Sequence, residues 1–377
     1  MSLLQKQLLS KRLPPKLPGQ RTVTHQRDFT PLSWELYFDE KRNVDVDGST
    51  FCVYLSGFND QENKLTLVLL HGGGYSALTW ALFTKDIRNL CKCRVIAIDI
   101  RGHGDTHTTD DNDLSISTLV NDVGGVIKGV CGDDVGQMIL IGHSMGGAIA
   151  VHCASSLHEL IPNIVGLVVI DVVEGTALDA LNSMQSFLRG RPSSFNTIER
   201  AIEWCIKSGQ TKNVEAARIS MPGQLVSKKV EDKNFLLNEQ LGILKEEEID
   251  DEIDVNNDEI NKSNEAAIHP QVNGLTWRID LSKTEPYWTG WFTDLSSMFL
   301  KCQAGAKLLI LAGIDRLDST LMVGQMQGKF QMQVLPKCGH TVHEDVPDKV
   351  AEVIATFITR NKFAEAINEF QPQFPSC

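Results

Sequence analysis

The stretch Gln137-Met138-Ile139-Leu140-Ile141-Gly142-His143-Ser144-Met145-Gly146-Gly147-Ala148-Ile149-Ala150-Val151 decides how the rest of the chain is read. Its apolar run suits a buried strand, and the small residues after Ser144 suit a closely packed helix. Between them, Gly142-x-Ser144-x-Gly146 has the form of a nucleophile elbow, a strand-to-helix turn so abrupt that its flanking positions must lack a bulky Cβ. Such a turn lifts one serine hydroxyl above the sheet edge and aims the next backbone amide, that of Met145, at the same space. The helix N-terminus behind it favours developing negative charge. A glycine- and serine-rich linker could show the same five residues. The legible strand before them and helix after them point to a nucleophile.

On the N-terminal side, residues 51–55 alternate as an early strand, and residues 65–70 form a continuous apolar run suited to a buried parallel strand. That run ends in His71-Gly72-Gly73-Gly74. Glycines after a strand can turn sharply and bare their amides, so Gly73 or Gly74 is expected to join Met145 in holding an oxyanion. Residues 77–91 have helical spacing, 94–100 read as another strand, and 114–130 as the helix before the elbow strand. The loop Arg101-Gly102-His103-Gly104-Asp105 is read as structural, with His103 a poor candidate for a base. Alternating strands and helices predict parallel pairing with right-handed crossovers, hence an α/β fold.

Past the elbow, residues 164–170 form a strand ending in Asp171. Residues 176 to about 226 read as a helical cap over the strand ends, and about 227–267 as a disordered insertion. Nine acids and no Lys or Arg fall between Glu246 and Glu259. Strands at 307–312 and 330–335 and a helix at 347–360 close the pattern. Residues 1–27 carry Lys6, Lys11, Arg12, Lys16, Arg21 and Arg27 with no acid, and are expected to be a disordered basic tail ahead of one domain over 28–377.

A chain of 377 residues with 42% hydrophobic content can bury a large core. No apolar run is long enough to span a bilayer, and the N-terminus lacks the apolar core of a secretory signal. Nine cysteines, scattered singly apart from Cys91-Lys92-Cys93, show no zinc spacing and fit free thiols in cytosol or nucleus. The net charge of −12 argues against nonspecific nucleic-acid binding.

A serine hydroxyl needs a base within hydrogen-bond reach, oriented in turn by a buried carboxylate. His340 is the preferred base because Gly339-His340 follows the last strand and the glycine allows a sharp exit; His343 competes from the same loop. For the acid, Asp171 and Asp315 stand near parity, with Asp318 beside the latter. These parts predict two-step acyl transfer, with no metal or cofactor.

With those residues in view, the chain resembles the protein phosphatase methylesterase family. The matching blocks include Arg27-Asp-Phe-Thr-Pro-Leu-Ser-Trp34, Gly142-His-Ser-Met-Gly-Gly147, Ile170-Asp-Val-Val-Glu-Gly-Thr176, Leu181-Asn-Ser-Met-Gln-Ser-Phe-Leu-Arg-Gly-Arg-Pro192, Tyr287-Trp-Thr-Gly-Trp291 and Gly324-Gln-Met-Gln-Gly-Lys-Phe-Gln-Met-Gln-Val-Leu-Pro336. The resemblance implies an α/β-hydrolase fold, with a mostly parallel sheet, helices on both faces, a helical cap and an acidic insertion. It implies hydrolysis of the methyl ester on the C-terminal leucine of the protein phosphatase 2A catalytic subunit, alone or in its holoenzyme, in cytosol and nucleus. It puts the triad on Ser144, Asp171 and His340, which breaks the tie against Asp315. A phosphatase-binding regulator and a broader carboxylesterase are the competing readings. The insertion here has its own sequence and length, so its role does not carry over.

Overall fold

The apolar runs of the sequence become the middle of an eight-stranded sheet. The computed structural model describes residues 27–60, 62–132, 135–157, 163–228, 274–368 and 370–372. The basic tail up to residue 26 and nearly all of the acidic insertion lie outside the described residues. Strands β1 (Glu40–Val46), β2 (Ser49–Ser56), β3 (Leu65–Leu70), β4 (Arg94–Ile98), β5 (Gln137–His143) and β6 (Ile164–Ile170) come first in the chain. Strands β7 (Ser194–Phe195), β8 (Leu225–Ser227), β9 (Leu275–Trp277), β10 (Ala306–Leu311) and β11 (Gln331–Val334) follow. The large sheet runs β1-β2-β4-β3-β5-β6-β10-β11, and all pairings from β4 to β11 are parallel.

The order follows from the side chains. β3 is buried along its whole length, and β4, β5 and β6 along nearly all of theirs, which only a strand covered on both faces requires. β1 alternates exposed and covered positions and sits at the edge. It is an addition to the expected pattern, because Glu-Lys-Arg-Asn-Val-Asp-Val is too polar to stand out as a strand. Its signal lay in the turn: Asp47 and Gly48 both have positive φ (49° and 77°) and join Val46 to Ser49 as a two-residue hairpin.

Helices cover both faces. α1 (Ala81–Arg88) and the C-terminal helix Pro347–Arg360 pack together on one side, through residues such as Phe83, Ile87, Ile354 and Phe357. α2 (Ile116–Cys131) and α3 (Met145–Ser156) pack on the other, through Val123, Val126, Ile149 and Val151. The segment that starts at Asp28 packs onto the domain: Leu32 N donates to Arg218 O (3.0 Å) and Arg218 pairs with Asp28 (2.8 Å).

The stretch read as a helical cap also contains strands. After α4 (Glu174–Arg189), α5 (Ile198–Ser208) and α6 (Val214–Ser220) surround a small core of Phe195, Ile202, Cys205 and Met221. This cluster includes a three-stranded antiparallel sheet, β7-β9-β8. β9 lies beyond the insertion, so the pairing is long-range and leaves no local period to read. β8 and β9 bring the ends of the insertion together, with Lys228 N donating to Gly274 O (2.7 Å).

One buried ion pair fixes the loop that supports the site. Arg101 donates to Asp122 through Nε and Nη2, both at 2.7 Å, and through Nη1 to Asp110 O (2.9 Å). Removing one partner of a buried pair strands the other charge. Asp122→Ala is therefore expected to destabilise the protein by about 3 kcal/mol or more in urea unfolding. A loss within about 0.5 kcal/mol, the scale of an ordinary surface substitution, would show that the pair carries little.

Candidate active site

β5 gives way to α3 within one residue. Ser144 sits there at φ 54°, ψ −121°, a conformation that a non-glycine residue holds only when its surroundings impose it. A Cβ on Gly142 would lie 2.1 Å from Gly146 O, and one on Gly146 would lie 2.2 Å from Leu70 O, so neither position tolerates a side chain. The Ser144 amide donates to Ile170 O at the end of β6 (3.1 Å), tying the elbow to the neighbouring strand.

The next residue on that strand is Asp171, also at positive φ (54°). Its amide donates to Ile310 O on β10 (2.8 Å), and its Oδ1 accepts from Ala312 N (2.9 Å). Oδ2 accepts from His340 Nδ1 at 2.8 Å. The Asp171 side chain is fully buried, whereas that of His340 is 46% exposed. With Nδ1–H given to the carboxylate, His340 Nε2 keeps its lone pair, the state in which an imidazole can accept a proton. Asp171, not Asp315, is thus the carboxylate that meets the imidazole. Asp315 is exposed, and Asp318 caps helix Ser319–Met326 by accepting from Leu321 N (2.8 Å).

His340 follows the last strand, as the sequence suggests, but Gly339 does not make the turn that brings it there. The turn before it is made at Lys337 (φ 76°) rather than by Gly339. Gly339 N donates to Asp345 Oδ2 (2.6 Å), and Asp345 Oδ1 accepts from Lys212 N (2.7 Å). His143, the residue before Ser144, donates through Nε2 to His340 O (2.9 Å). That contact escaped the sequence reading. It also explains Gly72, where a Cβ would meet His143 Nδ1 at 2.9 Å and Ser144 Cβ at 3.2 Å. His343 turns away into the core, with Nε2 on Thr79 Oγ1 (2.9 Å) and its ring 4.2 Å from that of Trp80. The Thr79 hydroxyl hydrogen goes to Glu344 Oε1 (2.6 Å), so Thr79 accepts from His343. Among the described residues Ser144 Oγ has no hydrogen-bond partner, so the serine–histidine contact is not made in this arrangement.

The glycine loop corrects one expectation. Gly74 N donates to His103 Nε2 (2.9 Å), which takes that amide out of any oxyanion hole. Among the described residues the amides of Gly73 and Met145 have no intramolecular acceptor and remain available. His103 Nδ1 donates in turn to Arg101 O (2.8 Å), so its tautomer is fixed and its role is structural, as the sequence suggests. His71 does the same job one strand away, accepting from Ile100 N (3.0 Å) and donating to Gly72 O (2.8 Å). From beyond the insertion, Arg278 holds the Arg101–Asp105 loop through Gly104 O (3.2 Å) and the segment after it through Thr106 O and Asp111 Oδ2, both at 2.7 Å. Leu281 covers Gly73 and Gly74. Among the described residues no cluster of His, Cys, Asp or Glu could hold a metal ion.

A sequence profile of the alpha/beta hydrolase family matches residues 67–353. The chain is 49% identical to protein phosphatase methylesterase 1 of Mus musculus and to that of Homo sapiens, over the whole of both chains in each case. It is 38% identical to protein phosphatase methylesterase 1 of Schizosaccharomyces pombe, over 87% of this chain and 85% of that one. Among solved structures, E-2-(acetamidomethylene)succinate hydrolase aligns with a TM-score of 0.60 at 20% identity, covering 85% of this chain and 99% of its own. The thioesterase domain from the curacin biosynthetic pathway aligns at 0.55 and 16% identity, over 85% and 99%. These two likenesses speak to fold alone.

Two outcomes follow from the geometry. Asp171→Asn is expected to lower ester turnover by roughly 10⁴, because an amide cannot hold the productive tautomer, while Asp315→Asn costs under about twofold. The reverse ranking in steady-state assays would overturn the assignment. The second concerns acid. Burial holds His71 and His143 well below the ordinary histidine range and pushes His103 down to about 4 and His343 to about 3. The unfolded chain then binds protons first, so this stability is full above about pH 6.5 and is lost as pH falls toward 4 and 3. Buried Asp99 and Glu344, pushed up to about 6 and about 7, act in the opposite sense, losing stability as pH rises through those values. Burial lowers His152 as well and raises Asp86 and Asp122; because the unfolded histidines take up their protons within this interval, Tm should fall between pH 7 and pH 5. A Tm that held or rose over that span would contradict the balance.

Proposed function

The chain belongs to the protein phosphatase methylesterase family of alpha/beta hydrolases, and on that premise we propose that it removes the methyl ester from the C-terminal leucine of the protein phosphatase 2A catalytic subunit. The observation that carries the catalytic assignment is the buried Asp171 carboxylate bonded to the His340 ring beside the strained elbow serine. In this reading Ser144 is the nucleophile, His340 the base and then the acid, and Asp171 the group that orients the imidazole. Met145 and Gly73 supply the oxyanion amides.

Ser144 Oγ attacks the ester carbonyl carbon while its proton passes to His340 Nε2. The carbonyl oxygen takes the negative charge and accepts from the two free amides, each worth about 10²–10³ in rate. The imidazolium then protonates the departing methoxide, and methanol leaves an acyl-serine. Water, deprotonated by His340, attacks the acyl carbon and regenerates the serine, leaving the leucine carboxylate. We place formation of the Ser144–His340 contact at substrate docking, since the two groups stand on neighbouring loops without it.

A folded protein as substrate is supported by helix Ser319–Met326, which turns Met322, Val323 and the 80%-exposed Met326 to solvent. We assign the role of cap to residues 176–226 with β9, and place the activity in cytosol and nucleus. Among the described residues no helix is long and apolar enough to cross a membrane.

Ser144→Ala should lower methanol release from methylated phosphatase by at least about 10³. If the chain is also a binder, the variant still captures the phosphatase. Full methanol release by the variant would refute the mechanism. Equal specific activity of the wild type on free methyl esters and on methylated phosphatase would favour a general carboxylesterase.

A further inference from the structure

Arg191 is a cation without a counter-charge close to the site. It lies in the turn between α4 and β7, where its amide donates to Leu188 O (3.2 Å). Its guanidinium sits over the face of Trp277, 3.6 Å from the ring centre, and Trp277 is fixed by donating Nε1–H to Pro192 O (2.7 Å). Stacking satisfies the face of a guanidinium, while its five N–H donors lie in the plane and remain to be met. Among the described residues none of them has an acceptor and no carboxylate pairs with Arg191, and Nε is sealed from solvent without a partner. The other two arginines buried near the site differ: Arg101 holds Asp122, and Arg278 holds Asp111 with two carbonyls.

The position makes this useful. Tyr75 lies close enough to Arg191 for each to act on the other's ionisation, and burial pushes the guanidinium below the usual arginine range. Tyr75 directly follows the glycine loop, with its amide on Gly72 O (3.2 Å) and its ring edge-on to His143 at 5.9 Å. Trp277, which carries Arg191, leads within four residues to Leu281 over Gly73 and Gly74, so the guanidinium lies against the same short segment that covers the glycine loop. It belongs to the block Leu181-Asn-Ser-Met-Gln-Ser-Phe-Leu-Arg-Gly-Arg-Pro192, to which the mechanism gives no task. A guanidinium taken out of water and left with open in-plane donors is set up for an incoming planar anion.

We propose that Arg191 binds a carboxylate of the substrate's C-terminal segment, as a specificity-determining residue of the methylesterase site. The identity of the substrate rests on the function proposed above; the anion site itself does not. The reacting ester is neutral, so the carboxylate is either an acidic side chain upstream of it or the terminal carboxylate that hydrolysis creates. Both present the same two oxygens to the guanidinium fork.

The test uses the full chain carrying Ser144→Ala, with Arg191 intact, as Arg191→Lys or as Arg191→Gln. Fluorescent peptides end in leucine methyl ester, with one acidic residue walked along an otherwise neutral sequence, and one further peptide ends in free leucine. With Arg191 intact, an acidic residue at one position should tighten binding on the order of tenfold, and less so as salt rises. Arg191→Gln should reduce that gain to under about twofold, and Arg191→Lys should keep part of it. If the loss falls on the free-leucine peptide, the anion is the product carboxylate and the site stands. If Arg191→Gln weakens all peptides alike, or none, no carboxylate is bound there and the proposal fails. Circular dichroism, together with the Lys variant, separates a lost cation from a disturbed fold. Absence of methanol release from methylated phosphatase by the wild-type protein would defeat the functional reading, while the binding series would still decide the anion site.

Discussion

A buried carboxylate joins three strand ends to one loop. Asp171 takes Ala312 N on one oxygen and the His340 ring on the other, while its own amide reaches Ile310 O and the residue before it receives the Ser144 amide. Ser144, Asp171 and His340 are thus referenced to the same few ångströms of parallel sheet. Burial of that side chain is affordable because its charge is met by N–H donors; an unmet carboxylate at that depth would be strongly disfavoured. Two residues at positive φ, Ser144 and Asp171, lie at the tops of adjacent strands. Strain of this kind persists only where neighbours over-determine the backbone, and here the cross-strand bonds do so.

Much of this was legible in the chain. Buried parallel strands leave continuous apolar runs, and a strand, a Gly-x-Ser-x-Gly turn and a helix cannot be mistaken once all three are seen together. What was not legible is what depends on distance. Asp171 and Asp315 both follow strands and look equivalent in sequence, yet one is buried under the histidine and the other is exposed. The Gly74 amide looked as free as that of Gly73 until His103, from another loop, was found to hold it. The three-stranded sheet beside the site escaped notice because its central strand lies across the insertion from its partners. β1 is the one miss with a local cure, since Asp47-Gly48 between two extended stretches is a hairpin signal.

The histidines show a division of labour that the residue type alone conceals. His340 is half-open and paired with a carboxylate. His71, His103, His143 and His343 are buried and kept neutral, and each uses a ring nitrogen to hold a loop or a side chain in place. A neutral imidazole offers one donor and one acceptor at fixed separation, which suits it to joining a backbone amide to a carbonyl. The catalytic assignment thus rests on depth and partners rather than on the presence of a histidine.

The bond from Lys228 N to Gly274 O closes the chain on itself where the acidic insertion begins and ends. Closure entropy grows only with the logarithm of loop length, about 0.6 kcal/mol per doubling, so what lies between those residues can be lengthened or rewritten at small cost to the fold. The return strand is less neutral. Within a few residues of the closure it delivers Trp277 against Arg191, Arg278 onto the Arg101–Asp105 loop and Leu281 over the glycines. The closure of the insertion and the cover of the glycine loop therefore belong to one short stretch of chain, separated by only a few residues.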